Sequence, residues 1–203
     1  MPTALAYAAM NLRWNPFGEL SLDQRAAVAV ADVACWADRL RKPGFALQFL
    51  GDSGRGKTTH LLALLAHLPE AELIRVPESG RIVPPESATV LVDEAQYLGY
   101  RARRCLFRPW RSLALAGQAD CTPALARAGF EVATIHPGEA SAERLMEITR
   151  RRIELARRGP GGVPALPRST AERLIADHGS NLRAIEDRLY AWIQSGGSGD
   201  VEV

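Results

Sequence analysis

Gly51-Asp52-Ser53-Gly54-Arg55-Gly56-Lys57-Thr58 is the stretch that decides how this chain folds. It satisfies the spacing G-x-x-x-x-G-K-S/T at each constrained position. The apolar run Phe45-Ala46-Leu47-Gln48-Phe49-Leu50 before it has the length and composition of a buried strand. The segment from Thr59 to Leu68 after it is rich in strong helix formers and free of Gly and Pro. Strand, glycine-rich turn and helix, in that order, converge backbone N–H groups at the positive end of a helix. That makes a cradle for phosphate oxygens. There Lys57 would reach the β- and γ-phosphates, and Thr58 would offer its hydroxyl to Mg²⁺. With Thr59 at the next position, residues 51–59 are the candidate nucleotide-binding segment.

The chain has 203 residues, room for one ordinary domain or a core domain with a small attached lobe. Apolar residues make up 47% and charged residues 24%, a globular rather than a disordered composition. The net charge of +2 gives no general argument for nucleic acid, so a basic partner surface must be local. Cys35, Cys105 and Cys121 are odd in number and far apart, with no C-x-x-C pair. Neither zinc nor a disulfide framework is expected, and a reducing cytoplasm is the natural compartment. No apolar run approaches the ~18 residues of a membrane span. The N-terminus lacks the basic region of a signal peptide, and Met10 is an alternative start.

Along the chain, Asn11 to Gly18 is turn-rich, and Ser21 is the expected cap of a helix running to Leu40. Further strands are expected at 71–76, 89–92, 112–116 (where Leu and Ala alone would also suit a helix) and 131–135, with a loop at 77–87 and a helix over 95–105. Strands alternating with helices predict a parallel α/β sheet. After Gly138 the strand pattern stops. Helices are expected over 141–158, from a Ser169 cap to His178, and over 181–194. The expected organisation is a phosphate-loop α/β domain over 1–138, a helical lid over 139–194 and a frayed tail over 195–203.

A second motif narrows the chemistry. Val90-Leu91-Val92-Asp93-Glu94 ends a buried strand on two carboxylates. Ligands of parallel sheets bind at the carboxyl edge, so Asp93 would hold Mg²⁺. Glu94 has two readings: a base that polarises water for attack on the γ-phosphate, or a cap favouring the dipole of the next helix. Small-molecule kinases need no such base. No N-K-x-D or T-K-x-D run argues for a GTPase.

The phosphate loop together with Asp93-Glu94-Ala95-Gln96 resembles the AAA+ ATPases, most nearly the bacterial group of transposition helpers and secretion-associated ATPases. The resemblance spans about residues 11 to 194. It implies a five-stranded parallel sheet in the order 5-1-4-3-2 with a helical lid, and hydrolysis of ATP with Mg²⁺. It gives meaning to further positions. Asn15 and Phe17 lie where the family brings a loop to the adenine; the plain reading is a turn with a core aromatic. Gln118 stands at the sensor position after the fourth strand, where Asn, Thr or Ser is more usual. Gly179-Ser180-Asn181-Leu182-Arg183 resembles the opening of the last lid helix, with Arg183 as a second sensor. Family members act as oligomers in which a neighbouring subunit supplies an arginine to the site. Arg127 is the candidate here, with Arg104 and Arg108 as rivals.

Arg101, Arg103, Arg104, Arg108 and Arg111 crowd a short segment with Phe107 and Trp110 among them. Arg150, Arg151, Arg152, Arg157 and Arg158 form a second group. Such groups grip nucleic acid, dock an acidic protein, or remain solvated helix faces. Two functions are therefore expected to compete: an ATPase driving or resetting a partner complex, and a nucleotide-gated DNA- or protein-binding module with negligible turnover.

Overall fold

A computed structural model describes residues 4–137 and 141–196. The strands are β1 (Phe45–Leu50), β2 (Glu72–Arg75), β3 (Thr89–Asp93), β4 (Ser112–Gly117) and β5 (Glu131–Ile135). They form one parallel sheet in the order β2-β3-β4-β1-β5, the order the resemblance implied. The helices are α1 (Ala4–Ala9), α2 (Leu22–Ala27), α3 (Ala34–Leu40), α4 (Lys57–His67), α5 (Tyr100–Leu106), α6 (Thr122–Arg127), α7 (Ala142–Ala156), α8 (Arg168–His178) and α9 (Leu182–Gln194).

The chain divides into two compact units. Ala31–Pro137 holds the whole sheet with α3 to α6. Strands of a parallel sheet are covered on both faces, so they read as continuous apolar runs. β3 and β4 are buried at every residue, and Val90, Val92, Leu113 and Leu115 pack with Ala102 and Leu106 of α5. The register levels one edge of the sheet: Leu50 pairs with Gly117, and Arg75 with Asp93. The segments that follow β1, β3 and β4 therefore emerge side by side.

The other unit takes the described residues of Met1–Val30 and Gly138–Val203. The N-terminal segment, expected with the α/β domain, joins the C-terminal helices instead. Leu12 and Phe17 are buried in one core with Leu145, Ile153, Leu174, Ile185 and Ile193. Main-chain bonds add to this: Arg13 N–H donates to Ala156 O at 2.8 Å, and Leu12 bridges Arg157. Nothing local marks this partnership, because the contacting residues lie far apart in sequence. The expected tail beyond residue 196 and the expected boundary at 138 fall outside the described residues.

Other expectations also change. Ser21 does cap a helix, through a capping box with Gln24. That helix stops at Ala27 and a new one starts at Ala34. The segment between them holds Val28, Val30 and Val33, β-branched residues that weaken a helix, and it buries Val28, Ala29 and Val33 outside one. Ser169 lies inside the first turn of α8, which begins after Pro167.

Four of the second arginine group, Arg150, Arg151, Arg152 and Arg157, are paired with carboxylates, while Arg158 is exposed. Arg152 is buried, pairs with Glu186, and donates to the carbonyls of Pro16 (2.8 Å) and Gly18 (3.0 Å). Arg150 and Arg151 both donate to Glu147, at 2.7 Å each, and hold its carboxyl down at about 2. A depressed carboxylate stabilises the fold above its ordinary pKa, and that contribution fades as pH falls toward the folded value. Glu147→Gln should therefore lower the melting temperature by about 2 °C at neutral pH. The difference from wild type should shrink between pH 4.5 and about 2. Thermal melts across that range check it.

Candidate functional site

β1 hands the chain to the phosphate loop at Leu50, where Gly51 N–H still donates to Gly117 O at 3.3 Å. Gly54 and Gly56 take φ of 83° and 79°, left-handed values that only glycine adopts without strain. Gly56 is the N-cap of α4, so Lys57, Thr58 and Thr59 form its first turn. The first N–H groups of a helix have no partner within it. They face the loop that the glycines fold back. His60, which the sequence did not single out, secures the start of the helix. Its Nδ1 lies 2.9 Å from Gly56 O, and its ring packs on Phe49 of β1 at 5.0 Å.

Within the loop, Lys57 Nζ donates to Asp52 O at 2.6 Å, and Arg55 pairs with Asp52 at 3.5 Å. Partial burial lowers the lysine's pKa, against the pull of Glu94, Asp93 and Asp52. An ammonium folded over its own loop and bonded to a backbone carbonyl suits an anionic phosphate tail. Ser53 is exposed at the tip.

Thr58 Oγ1 lies 3.0 and 3.2 Å from the two carboxylate oxygens of Asp93 at the end of β3. Asp93 is buried, and that burial pushes its pKa up. A hydroxyl and a carboxylate brought together from two elements are oxygen donors of the kind Mg²⁺ takes beside phosphates. Among the described residues no group of three or more His, Cys, Asp or Glu could hold a metal ion. A metal here would share its shell with a bound polyphosphate.

Glu94 follows at φ 60°, ψ 41°, a left-handed conformation costly for a residue with a side chain. The expected helix over 95–105 does not continue from it. A short 3-10 turn (Ala95–Tyr97) comes first, and α5 starts only after Gly99. The Glu94 side chain caps nothing. One carboxylate oxygen accepts from Gln96 Nε2 at 2.6 Å, and the other lies 3.6 Å from Arg75 at the end of β2. Gln96 Oε1 in turn accepts Gln118 N–H at 3.3 Å. Gly117 makes room for this, since a Cβ there would sit 3.1 Å from Gln96 Oε1. Gln96 thus links the acidic pair to the end of β4. The sequence displayed it within Asp93-Glu94-Ala95-Gln96 without giving it a role.

The structure thus brings together Gly51 to Thr59, Asp93, Glu94 and Gln118 at one edge of one sheet. It holds Gln118 through its main chain, while the side chain is exposed. Beyond it, buried Gln48 of β1 donates to Asp120 Oδ1 (2.9 Å) and accepts Cys121 N–H (2.7 Å). This fixes the entry to α6, on which Arg127 is exposed without an ion pair among the described residues. The signal for Gln48 was a lone amide in an apolar strand. Arg104 and Arg108 are exposed on or just after α5. Asn15, Phe17 and Arg183 belong to the helical unit. Asn15 accepts from Phe17 N–H at 3.0 Å and donates to Tyr190 O at 3.0 Å. Phe17 is a core residue under the Arg152 guanidinium. Arg183 is exposed in the first turn of α9, whose cap is Asn181.

Ionising Asp93 carries a cost, because burial raises its carboxyl pKa. A raised carboxyl pKa makes stability fall as pH rises from the ordinary value of 3.8 through the folded one. Asp93→Asn removes that buried charge and keeps an acceptor for Thr58. It should raise the melting temperature of the nucleotide-free protein by about 2–4 °C at neutral pH. It should also abolish any stabilisation by Mg²⁺ with nucleotide. Melts with and without Mg-nucleotide check both.

No protein-family model and no curated protein sequence matches this chain. Solved structures do. The replication initiator DnaA bound to AMPPCP and single-stranded DNA superposes with a TM-score of 0.56 at 14% identity, over 81% of this chain and 60% of that one. Domain III of the Thermotoga maritima replication initiation protein DnaA gives 0.55 at 15% identity, over 91% and 95%. The Thermotoga maritima RuvB Holliday junction branch migration motor gives 0.56 at 14% identity, over 91% and 66%. The chain spans about 60% of the length of the first. Among the described residues no helix is long and apolar enough to cross a membrane. The likeness is one of fold: a five-stranded parallel sheet flanked by helices, shared with these DnaA and RuvB structures.

Proposed function

We propose that this protein binds ATP with Mg²⁺ and hydrolyses it, as an AAA+-type ATPase whose turnover drives or resets a partner complex. The observation that carries this is the bonded pair Thr58–Asp93 beside Lys57, with Glu94 next in the chain. In the proposed cycle the amides of residues 51–59 hold the phosphates, and Lys57 leaves Asp52 O for a phosphate oxygen. Thr58 and Asp93 would hold Mg²⁺, which when bound neutralises charge on the phosphate tail. Glu94 takes the proton of the attacking water. Gln118 orients that water or touches the γ-phosphate. Arg183 and an arginine from a neighbouring subunit, Arg127 before Arg104 or Arg108, balance the charge of the transferring group. The roles of Asn15 and Phe17 at the adenine, of residues 139–194 as a lid, and the narrower likeness to transposition helpers rest on the sequence resemblance. A cytoplasmic location rests on the cysteine usage.

One observation favours the second reading, a nucleotide-gated binding module. Both Glu94 oxygens are already engaged, by Gln96 and Arg75. A base so held turns over slowly until something moves it.

Phosphate release and binding of a fluorescent ATP analogue, measured together, separate the two. Wild type should release phosphate with Mg-ATP, at a specific rate that rises with protein concentration if subunits share a site. Glu94→Gln should keep its affinity and lose about 100-fold or more in rate. Equal rates in the two proteins would remove the base assignment. Binding without turnover at every concentration would select the gated module.

A further inference from the structure

We propose that the exposed side of α5, with the turn before it, is a docking strip for single-stranded nucleic acid. Residues 95–119 carry five arginines and no Asp or Glu. Two of the five serve the fold: Arg103 Nε donates to Leu98 O at 2.9 Å, and buried Arg111 donates to Pro85 O at 2.7 Å. Arg101, Arg104 and Arg108 remain, all exposed. No ion pair among the described residues involves any of the three. The contrast with Arg150, Arg151, Arg152, Arg157 and Arg168 is sharp, since each of those has a carboxylate partner.

Arg101 and Arg104, three residues apart, lie along one side of α5, and Arg108 follows just past its end, beyond the Phe107 C-cap. Ala102 and Leu106 are the residues that α5 buries. Two tyrosines join the strip. Tyr100 is 75% exposed, with the Arg104 guanidinium 5.8 Å from its ring centroid, and Tyr97 is 37% exposed. Unpaired cations alone would suit any polyanion. Uncovered rings among them suit a polyanion whose bases are free to stack, which is a single strand rather than a duplex.

The strip is separate from the phosphate cradle but tied to it through the main chain. Tyr97 N–H donates to Glu94 O at 3.0 Å, so the turn that carries the strip also carries the proposed base. The inference rests on the partner-driving reading only in giving that partner a chemical class. Its test is binding alone, so it stands or fails apart from hydrolysis.

The experiment uses the full chain and a labelled oligothymidylate of about twenty nucleotides, followed by fluorescence anisotropy across a salt series. Wild type should bind it more tightly than a duplex of equal length. The triple variant R101A/R104A/R108A should weaken binding and flatten the slope of log affinity against log salt by about 0.7 per arginine. Tyr100→Ala should cost roughly ten-fold in affinity with the slope unchanged. Tyr100 is exposed, so this second variant keeps the test open should the triple variant melt early. Tyr100→Ala should bind the ATP analogue as wild type does, which separates failure here from failure of the nucleotide site. Wild-type binding by both variants would overturn the proposal, as would equal affinity for duplex. Binding of polyglutamate without binding of the oligonucleotide would also overturn it, and would point to an acidic protein.

Discussion

The hydrogen bond from Thr58 to the Asp93 carboxylate is the contact on which the site depends. It joins the first turn of α4 to the end of β3, two elements that are not neighbours in sequence. The geometry follows from the sheet. Parallel strands all release their following segments at one edge, and the level register puts Leu50, Gly117, Asp93 and Arg75 there together. Burial makes the carboxylate costly to keep charged, and one hydroxyl does not offset that. A buried, under-compensated carboxylate next to a helix start with unpaired N–H groups suits a cation and an anion together, which is what the proposed Mg²⁺ on a polyphosphate would supply.

A second chain of contacts runs from Arg75 through Glu94 and Gln96 to the main chain of Gln118. It crosses from the end of β2 to the end of β4. Its centre is a residue in a left-handed backbone conformation, and its last link packs so close to Gly117 that a Cβ there would crowd the Gln96 side chain. Backbone strain of that kind persists only where surrounding contacts enforce it. Here they hold a carboxylate at the mouth of the loop. The same strain ends the strand without starting a regular helix, and so it sets where α5 and its exposed arginines begin.

Much of the α/β unit was legible because its signals are local. Gly54 and Gly56 stand where left-handed backbone is required, and the strands are short apolar runs with turn residues between them. In the other unit the Ser21 cap was legible for the same reason, since the residue it bonds, Gln24, is three positions on. What was not legible depends on distant partners. The stretch 26–37 has helical apolar spacing, yet burial of Val28, Ala29 and Val33 breaks it. Leu12 and Phe17 gave no hint that their core lies beyond residue 141. Gln48, His60 and Gln96 each carry one polar group whose partner is set by tertiary packing. The arginines divide the same way. Charge density marked both groups, but only the distribution of carboxylates in space tells which is internally paired.

In the proposed site, main-chain amides of the loop and the Thr58–Asp93 pair together receive Mg-ATP. A crystal structure with Mg²⁺ and a non-hydrolysable ATP analogue tests it most directly. It should show Lys57 Nζ moved from Asp52 O onto the terminal phosphates, and the metal lodged between Thr58 and Asp93. A vacant loop with the lysine still on its own carbonyl, or a nucleotide seated elsewhere, would contradict it.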